Sequence, residues 1–476
     1  MIRKPDLASV LALPGVTAAL ELADREGHNL YMVGGALRDL CLKKKVKDVD
    51  LIFDGKGQNF AHTLAARLKS RVVTLGQTGF QTYRIPLKAS CLDIWDLKNT
   101  TLREDLLRRD FTINAVALHL QSGGWIDSTG GLSDLENGII RSVSPTAFRE
   151  DPLRLLRAVR FKCLFPKFSI QPSTLQEMMD GAHWIERVAP ERVAYELDLI
   201  LGSPALYQGM LLLEETRLRS SILPELDAVK GVSQYPNNPD DVFDHTMTGL
   251  GILPQAVKTF NADVAGKPLL KREDQILLAY AFLFHDLGKH ATFSEDAGGR
   301  VHFYNHQRVS MKMAEAIGRR LRFSRERSES VQQLIFFHSR PMQLILAGMS
   351  ERGMRRFIHQ CRHYLPHQLA LFLTDRLSRA VGHERAMEFV HVIWSLYLRE
   401  GEALINPPRL VSGEEVMELM GLAPSPQVGR ILDGLVRLQV AGEVSTREQA
   451  LEYIRRLKDK QGRQAAEPDT GAPEGI

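Results

Sequence analysis

Along roughly the first 140 residues, short apolar runs with strand composition alternate with polar turns. The runs are "LYMV", "VDLIF", "RVVTL", "TYRIPL", "CLDIWDL" and "INAVALHL", and "FAHTLAARL" between two of them has helical spacing. From Phe148 onward the apolar period becomes helical. It stays so through "DPLRLLRAVRF", "PSTLQEMMDGAHWI", "ERVAYELDLILG" and "YQGMLLLEETRL". A polar, turn-rich break, "SQYPNNPDDVFDH", precedes a second helical block that runs to about Glu402 and holds most of the histidines. "NPPRLVSG" opens a last helical region that closes with "ALEYIRRLKDK". The pattern therefore predicts an α+β part over 1–140 with a small mixed sheet. All-helical regions follow over 141–235, 236–402 and 403–460. The nearly apolar-free end, 461–476, is predicted to be disordered.

Composition adds little to this division. The 476 residues are too many for one core, and 44% hydrophobic with 25% charged is ordinary for a globular chain. A formal charge of +4 permits nucleic-acid binding without requiring it. Arginine clusters point the same way: "RLLRAVRFK", "GRRLRFSRER" and "ERGMRRF". Cys41, Cys91, Cys163 and Cys361 lie far apart with no CxxC pair, which argues against structural zinc and against a disulfide framework. The first residues lack the apolar core of a signal peptide, and "ILLAYAFLF" is far short of the roughly 20 residues that cross a bilayer. A cytoplasmic protein with no membrane partner is expected.

The run "VKDVDLIF" places Asp48 and Asp50 inside a strand. Residues two apart in a strand share a face, so the two carboxylates project together while Val49 and Leu51 face away. Like charges so placed repel unless a cation sits between them. Mg²⁺ suits them, since it takes one or two carboxylates and completes its shell with water and phosphate oxygens. Upstream, Gly34-Gly35 joins "LYMV" to the helix "ALRDLCLK". Glycines and a helix start let backbone amides approach an anion, and Arg38 in the first turn offers a guanidinium for phosphate. A strand, a Gly-Gly turn, a helix and a DxD strand together describe a site for a metal-triphosphate.

"VGGALRDLCLKKKVKDVDL" closely resembles the head signature of the tRNA nucleotidyltransferase and bacterial poly(A) polymerase family, the class II CCA-adding enzymes. "LREDLLRRDFTINAVAL", "DSTGGLSDLENGIIR", "FREDPLRLLRAVRF" and "APERVAYEL" continue the likeness in the family's order. The resemblance implies a nucleotidyltransferase head, a helical neck, an HD domain and a tRNA-binding tail. It implies addition of C and A to tRNA 3′ ends from CTP and ATP, with pyrophosphate released. Asp48 and Asp50 would hold Mg²⁺, with Asp93 as third carboxylate ahead of Asp96. Asp110 and Asn114 would sit near the ribose, and Arg109 near phosphate or base. Phe111 and Ile113 read as core, and Glu191 and Arg192 as support for the neck.

Asp151 and Arg154 are three apart, a spacing that puts both on one helix face. Cytosine and adenine each show an amine donor beside a ring-nitrogen acceptor, whereas guanine and uracil show the reverse. One carboxylate and one guanidinium would therefore accept C and A and reject G and U. Glu150, Asp151 and Arg154 match the family's EDxxR motif, which is assigned this role. Arg157 and Arg160 are candidates for triphosphate or RNA backbone, or else form a solvated basic face.

His245, His285-Asp286, His306, His338 and Asp375 populate the second helical block. Imidazoles and carboxylates converging from several helices suit Mn²⁺, Fe²⁺, Ni²⁺ or another transition ion. The pattern resembles the HD phosphohydrolase superfamily, with His245, His285, Asp286 and Asp375 as ligands and His306 and His338 completing a second site. Alternatives to CCA addition are A-only or CC-only addition and poly(A) synthesis. From a different class, the alternative is an HD-type phosphohydrolase whose head only binds RNA.

Overall fold

The computed structural model describes residues 4–76, 81–97, 100–234, 240–379 and 382–466. The chain packs as two compact units, Met1–Pro224 and Glu225–Ile476.

In the first unit, strands β1 (Leu30–Val33), β2 (Asp48–Phe53), β3 (Val73–Leu75), β4 (Thr82–Pro86), β5 (Cys91–Asp96), β6 (Val116–His119) and β7 (Trp125–Asp127) form one mixed sheet. Its order is β3-β4-β5-β2-β1-β6-β7. Among the described residues of this sheet, β2 and β5 alone pair in parallel, and helix Gly57–Arg67 lies between them in sequence. That helix buries Phe60, Ala61, Leu64 and Ala65 against Leu51 and Phe53 of β2, together with Val16, Ala19 and Ala23 of helix Val16–Glu26. Phe53 and Phe60 stack with centroids 4.0 Å apart. Such a pair contributes about 0.5–1.5 kcal/mol beyond its area. The opposite face of the sheet packs Val33, Ile52 and Ala117 on Leu106. Alternation along β2 thus sends Val49, Leu51 and Phe53 into one core and Asp48, Asp50 and Ile52 to the other face.

The strands expected from the sequence all form, some of them shortened: "RVVTL" pairs only over Val73–Leu75. "INAVALHL" begins as a 3₁₀ turn, Thr112–Asn114, before entering β6. Asn114 bonds its backbone to Phe111 and its side chain to Asp110, and this local hydrogen bonding outcompetes the ladder. Beyond the sheet the unit is helical, apart from the two-residue pair Ile139–Ile140 and Ser169–Ile170.

In the second unit, helices Val242–Thr259, Arg272–Phe284, His306–Arg320, Arg325–Phe337 and Leu365–Leu377 carry or immediately precede the histidine block, and the stretch expected to be all-helical is interrupted by the antiparallel pair Phe293–Glu295 and Val301–Phe303. Gly249 permits the close approach of the first two, since a Cβ there would lie 2.1 Å from the Phe282 ring. Helices Gly413–Met420, Pro426–Val440 and Arg447–Ala466 have their own core around Val416, Leu435 and Ile454. The last helix runs to Ala466, six residues past the predicted end at 460, and 467–476 lie outside the described residues. No helix among the described residues is long and apolar enough to cross a membrane. All four cysteines are buried and free.

Candidate functional site

Three carboxylates share one face of the central strands. Asp50 of β2 lies directly opposite Asp93 of parallel β5, and Asp48 lies opposite Cys91. Of the two residues weighed as third carboxylate, Asp93 shares this face. Asp96, three positions on, points the other way and accepts from Gly57 N at 3.0 Å, capping helix Gly57–Arg67. Asp93 is held bidentately by Arg84 of β4, at 2.8 and 2.7 Å. The Cys91 thiol donates to Asp48 Oδ1 at 3.0 Å. Burial raises the Asp50 carboxyl to about 6; Arg109 opposes the shift, and the charges of Asp93 and Asp48 add to it. A cation on this face would relieve that repulsion, so the residues fit Mg²⁺.

Gly34 leaves the space that the Asp50 carboxylate and the Arg109 guanidinium both border. It has φ +75, and a Cβ on it would lie 2.7 Å from Arg109 Nη1 and 2.8 Å from Asp50 Oδ2. Gly34→Ala is therefore strained and obstructed at once. It should cut kcat/KM for nucleotide addition by about 10- to 100-fold through misplacement of both groups, which steady-state kinetics would measure.

Arg109 itself is braced by Asp105 at 3.1 Å and lies over the Trp95 ring. Arg38, expected to reach for phosphate, is buried instead. It donates to Asn114 Oδ1 at 2.7 Å and Asp39 Oδ1 at 2.9 Å, with its guanidinium against Phe161 and Phe165. Asn114 in turn donates to Asp110 Oδ1 at 2.9 Å, and Arg157 pairs with Asp110 Oδ2 at 2.6 Å. Burial alone would raise Asp110, but Arg157, Asn114 and the Phe111 amide hold it below the usual carboxylate range. Arg160 pairs with buried Glu196 at 2.8 Å. Burial lowers the guanidinium and raises the carboxyl, outweighing their mutual attraction. Arg157 and Arg160 thus belong to internal ion pairs and not to a solvated basic face.

The expectation of Asp151 and Arg154 on one helix face is overturned. Asp151 is extended (φ −139, ψ 95) between helix Ala147–Glu150 and helix Leu153–Leu164, because Pro152 starts the second helix and excludes its predecessor from helical geometry. Its carboxylate accepts from Leu153 N at 3.2 Å and pairs with Arg192 at 3.3 Å. Arg154 donates to the carbonyls of Ala147 and Arg108 at 3.1 and 2.5 Å and lies 3.7 Å from Glu150. Glu150 also accepts from Thr146 at 2.7 Å. Arg84 and Cys91 were not found by sequence reasoning. The signal for both was available, since each follows from the alternation of its strand once Asp93 is placed.

In the second unit, His245 Nε2 lies 3.0 Å from Asp375 Oδ1, and His285 Nε2 lies 3.0 Å from Asp286 Oδ2. His306 and His338 stand 3.4 and 3.6 Å from Asp286 Oδ1. Two sets have ligand atoms close enough to share an ion, His245–His285–Asp375 and His285–Asp286–His338. All six sequence-predicted residues therefore converge. Among the described residues, buried His285 Nε2 and Asp286 Oδ1 have no well-aligned hydrogen-bond partner, so the donor set fits a metal ion. Gln234, Lys289 and Arg379 also enter this site without having been anticipated.

Residues 30–141 match the poly(A) polymerase head domain, 167–230 a probable RNA- and SrmB-binding site of polymerase A, and 242–380 the HD domain. An A-adding tRNA nucleotidyltransferase of Deinococcus radiodurans is 32% identical over 442 residues, covering 90% of this chain and 95% of its own. The chain belongs to the tRNA nucleotidyltransferase family. A CC-adding tRNA nucleotidyltransferase of Thermus thermophilus is also 32% identical, over 438 residues, covering 89% and 92% of the two chains. The fold is that of a Thermotoga maritima CCA-adding enzyme solved with tRNA, with TM-score 0.61, 21% identity, and 94% and 98% of the two chains covered. Membership of this nucleotidyltransferase family accounts for the order of head, RNA-binding and HD matches along the chain.

Proposed function

We propose that the protein extends tRNA 3′ ends with C and A, using CTP and ATP and releasing pyrophosphate. The observation that carries this reading is the shared face of Asp48, Asp50 and Asp93 beside the Gly34 turn. Mg²⁺ held by these carboxylates would lower the pKa of the RNA 3′-hydroxyl and neutralise the leaving pyrophosphate. The new bond joins the 3′-oxygen to the α-phosphorus, and the α–β phosphoanhydride breaks. Gly34, Gly35 and Arg109 border the triphosphate, while Asp110 and Asn114, fixed by Arg157 and Arg38, border the ribose. The chain is proposed to divide into head, neck, HD domain and tail at about residues 140, 235 and 402.

Incubation of tRNAs ending at the discriminator base, at C and at CC with CTP or ATP tests the product. CTP should add to the first two and ATP to the third. ATP addition alone, CTP addition alone, or an untemplated run of A would each replace this reading with the corresponding narrower enzyme.

Base choice is proposed to lie at Asp151 and Arg154, with the incoming base displacing Arg192 from the Asp151 carboxylate. Asp151→Ala should raise UTP or GTP use relative to CTP or ATP by about 10- to 100-fold, the worth of a bidentate contact. Unchanged ratios of kcat/KM across four nucleotides in both Asp151→Ala and Arg154→Ala would place selection elsewhere.

The histidine cluster favours a second activity beside the first. With Mn²⁺, Fe²⁺ or Ni²⁺ it is proposed to cleave a phosphomonoester or 2′,3′-cyclic phosphate, and hydrolysis unaffected by His285→Ala would assign that activity to another site.

A further inference from the structure

The ligands of the histidine cluster are not equivalent. His285, His306 and His338 each hydrogen-bond through Nδ1 to a carbonyl three residues upstream, those of Phe282, Phe303 and Ile335, at 2.7, 2.8 and 2.6 Å. A neutral ring that donates from Nδ1 presents a bare lone pair at Nε2. Those lone pairs face acceptors: His306 Nε2 and His338 Nε2 are 3.2 Å apart, and Asp286 Oδ1 stands within 3.6 Å of both. Buried acceptors facing acceptors are costly unless a cation lies among them.

The His245–Asp375 side already has its cation. Arg379 Nη2 donates to Asp375 Oδ1 at 3.0 Å and lies 3.4 Å from His245 Nε2, the two atoms an ion there would need. Gln234 Oε1, buried, lies 3.5 Å from Arg379 Nη2 and accepts from Lys289 Nζ at 2.9 Å. Lys289 Nζ in turn lies 2.7 Å from Asp286 Oδ2. Gln234 thereby ties the two protein cations together, each against one carboxylate, and neither cation contacts Asp286 Oδ1.

The geometry points to one tightly held transition ion on His285, Asp286, His306 and His338, with Arg379 guarding the His245–Asp375 position against a second. Borderline divalent ions match three imidazoles and one carboxylate. The first position opens only when the Arg379 guanidinium leaves it.

Calorimetric titration of the full chain with Co²⁺, in excess Mg²⁺ to saturate the head carboxylates, tests this. Wild type should take one equivalent of Co²⁺ tightly and Arg379→Ala two, while Arg379→Lys, which keeps the positive charge, should take one. His338→Ala should weaken the single equivalent by at least about tenfold and change its visible absorption, and His245→Ala should leave it in place. His306→Ala provides a second ligand deletion should His338→Ala not fold. Two equally tight equivalents in wild type would overturn the inference. So would a tight equivalent lost in His245→Ala yet retained in His306→Ala or His338→Ala.

Discussion

Asp48→Ala and Asp50→Ala should each lower kcat/KM for nucleotide addition by about 1,000-fold or more, because a lost ligand forfeits several kcal/mol of charge stabilisation. The fold should survive both changes. Asp48 is exposed, and Asp50 is a half-buried carboxylate crowded by Asp48 and Asp93. Removing Asp50 relieves repulsion and desolvation, so its alanine variant should melt at or above the wild-type temperature. Substantial incorporation by both variants at saturating Mg²⁺ would sink the assignment, and a lower melting temperature for Asp50→Ala would contradict the electrostatic account.

Asp110→Ala should destabilise the head by about 3–5 kcal/mol. It strands the Arg157 guanidinium and unties Asn114 from the loop that carries it. Urea unfolding followed against pH distinguishes this from a simple packing loss. A carboxylate held low in the fold stabilises fully above its unfolded pKa, about 3.9, and loses that contribution as pH falls through the lower folded value. The stability gap between wild type and Asp110→Asn should therefore be widest near neutral pH and close as the solution is acidified below about pH 4. A gap that stays constant over that range would mean that the Asp110 charge contributes nothing.

What was legible in the sequence was whatever depends on local period. The two-residue repeat placed Asp48 and Asp50 on one face, and the same parity, applied along β5, separates Asp93 from Asp96. Asp151 shows a rule misapplied: the three-residue spacing to Arg154 suggested a shared helix face, yet the following proline already forbade it. Arg157 and Arg160 were unreadable for another reason. Their partners, Asp110 and Glu196, come from distant segments, and no local pattern announces a long-range ion pair. The histidine cluster was legible because the HD pattern repeats imidazole and carboxylate residues through one helical block. Arg379 and Gln234, which contact Asp375 and Lys289 in that cluster, follow no such pattern.

The buried cysteines have a bearing on how the protein meets oxidative stress. Thiolates, not thiols, react with peroxide and disulfides. Burial pushes Cys41 up to about 11 and Cys163 to about 12, and raises Cys361 as well. Burial with the Asp48 hydrogen bond takes Cys91, beside the carboxylate face, to about 12. A reactive sulfur so close to the carboxylate face would expose it to oxidants. Held as a protonated donor to Asp48, Cys91 keeps the weakly reactive thiol form, so oxidants should attack it slowly.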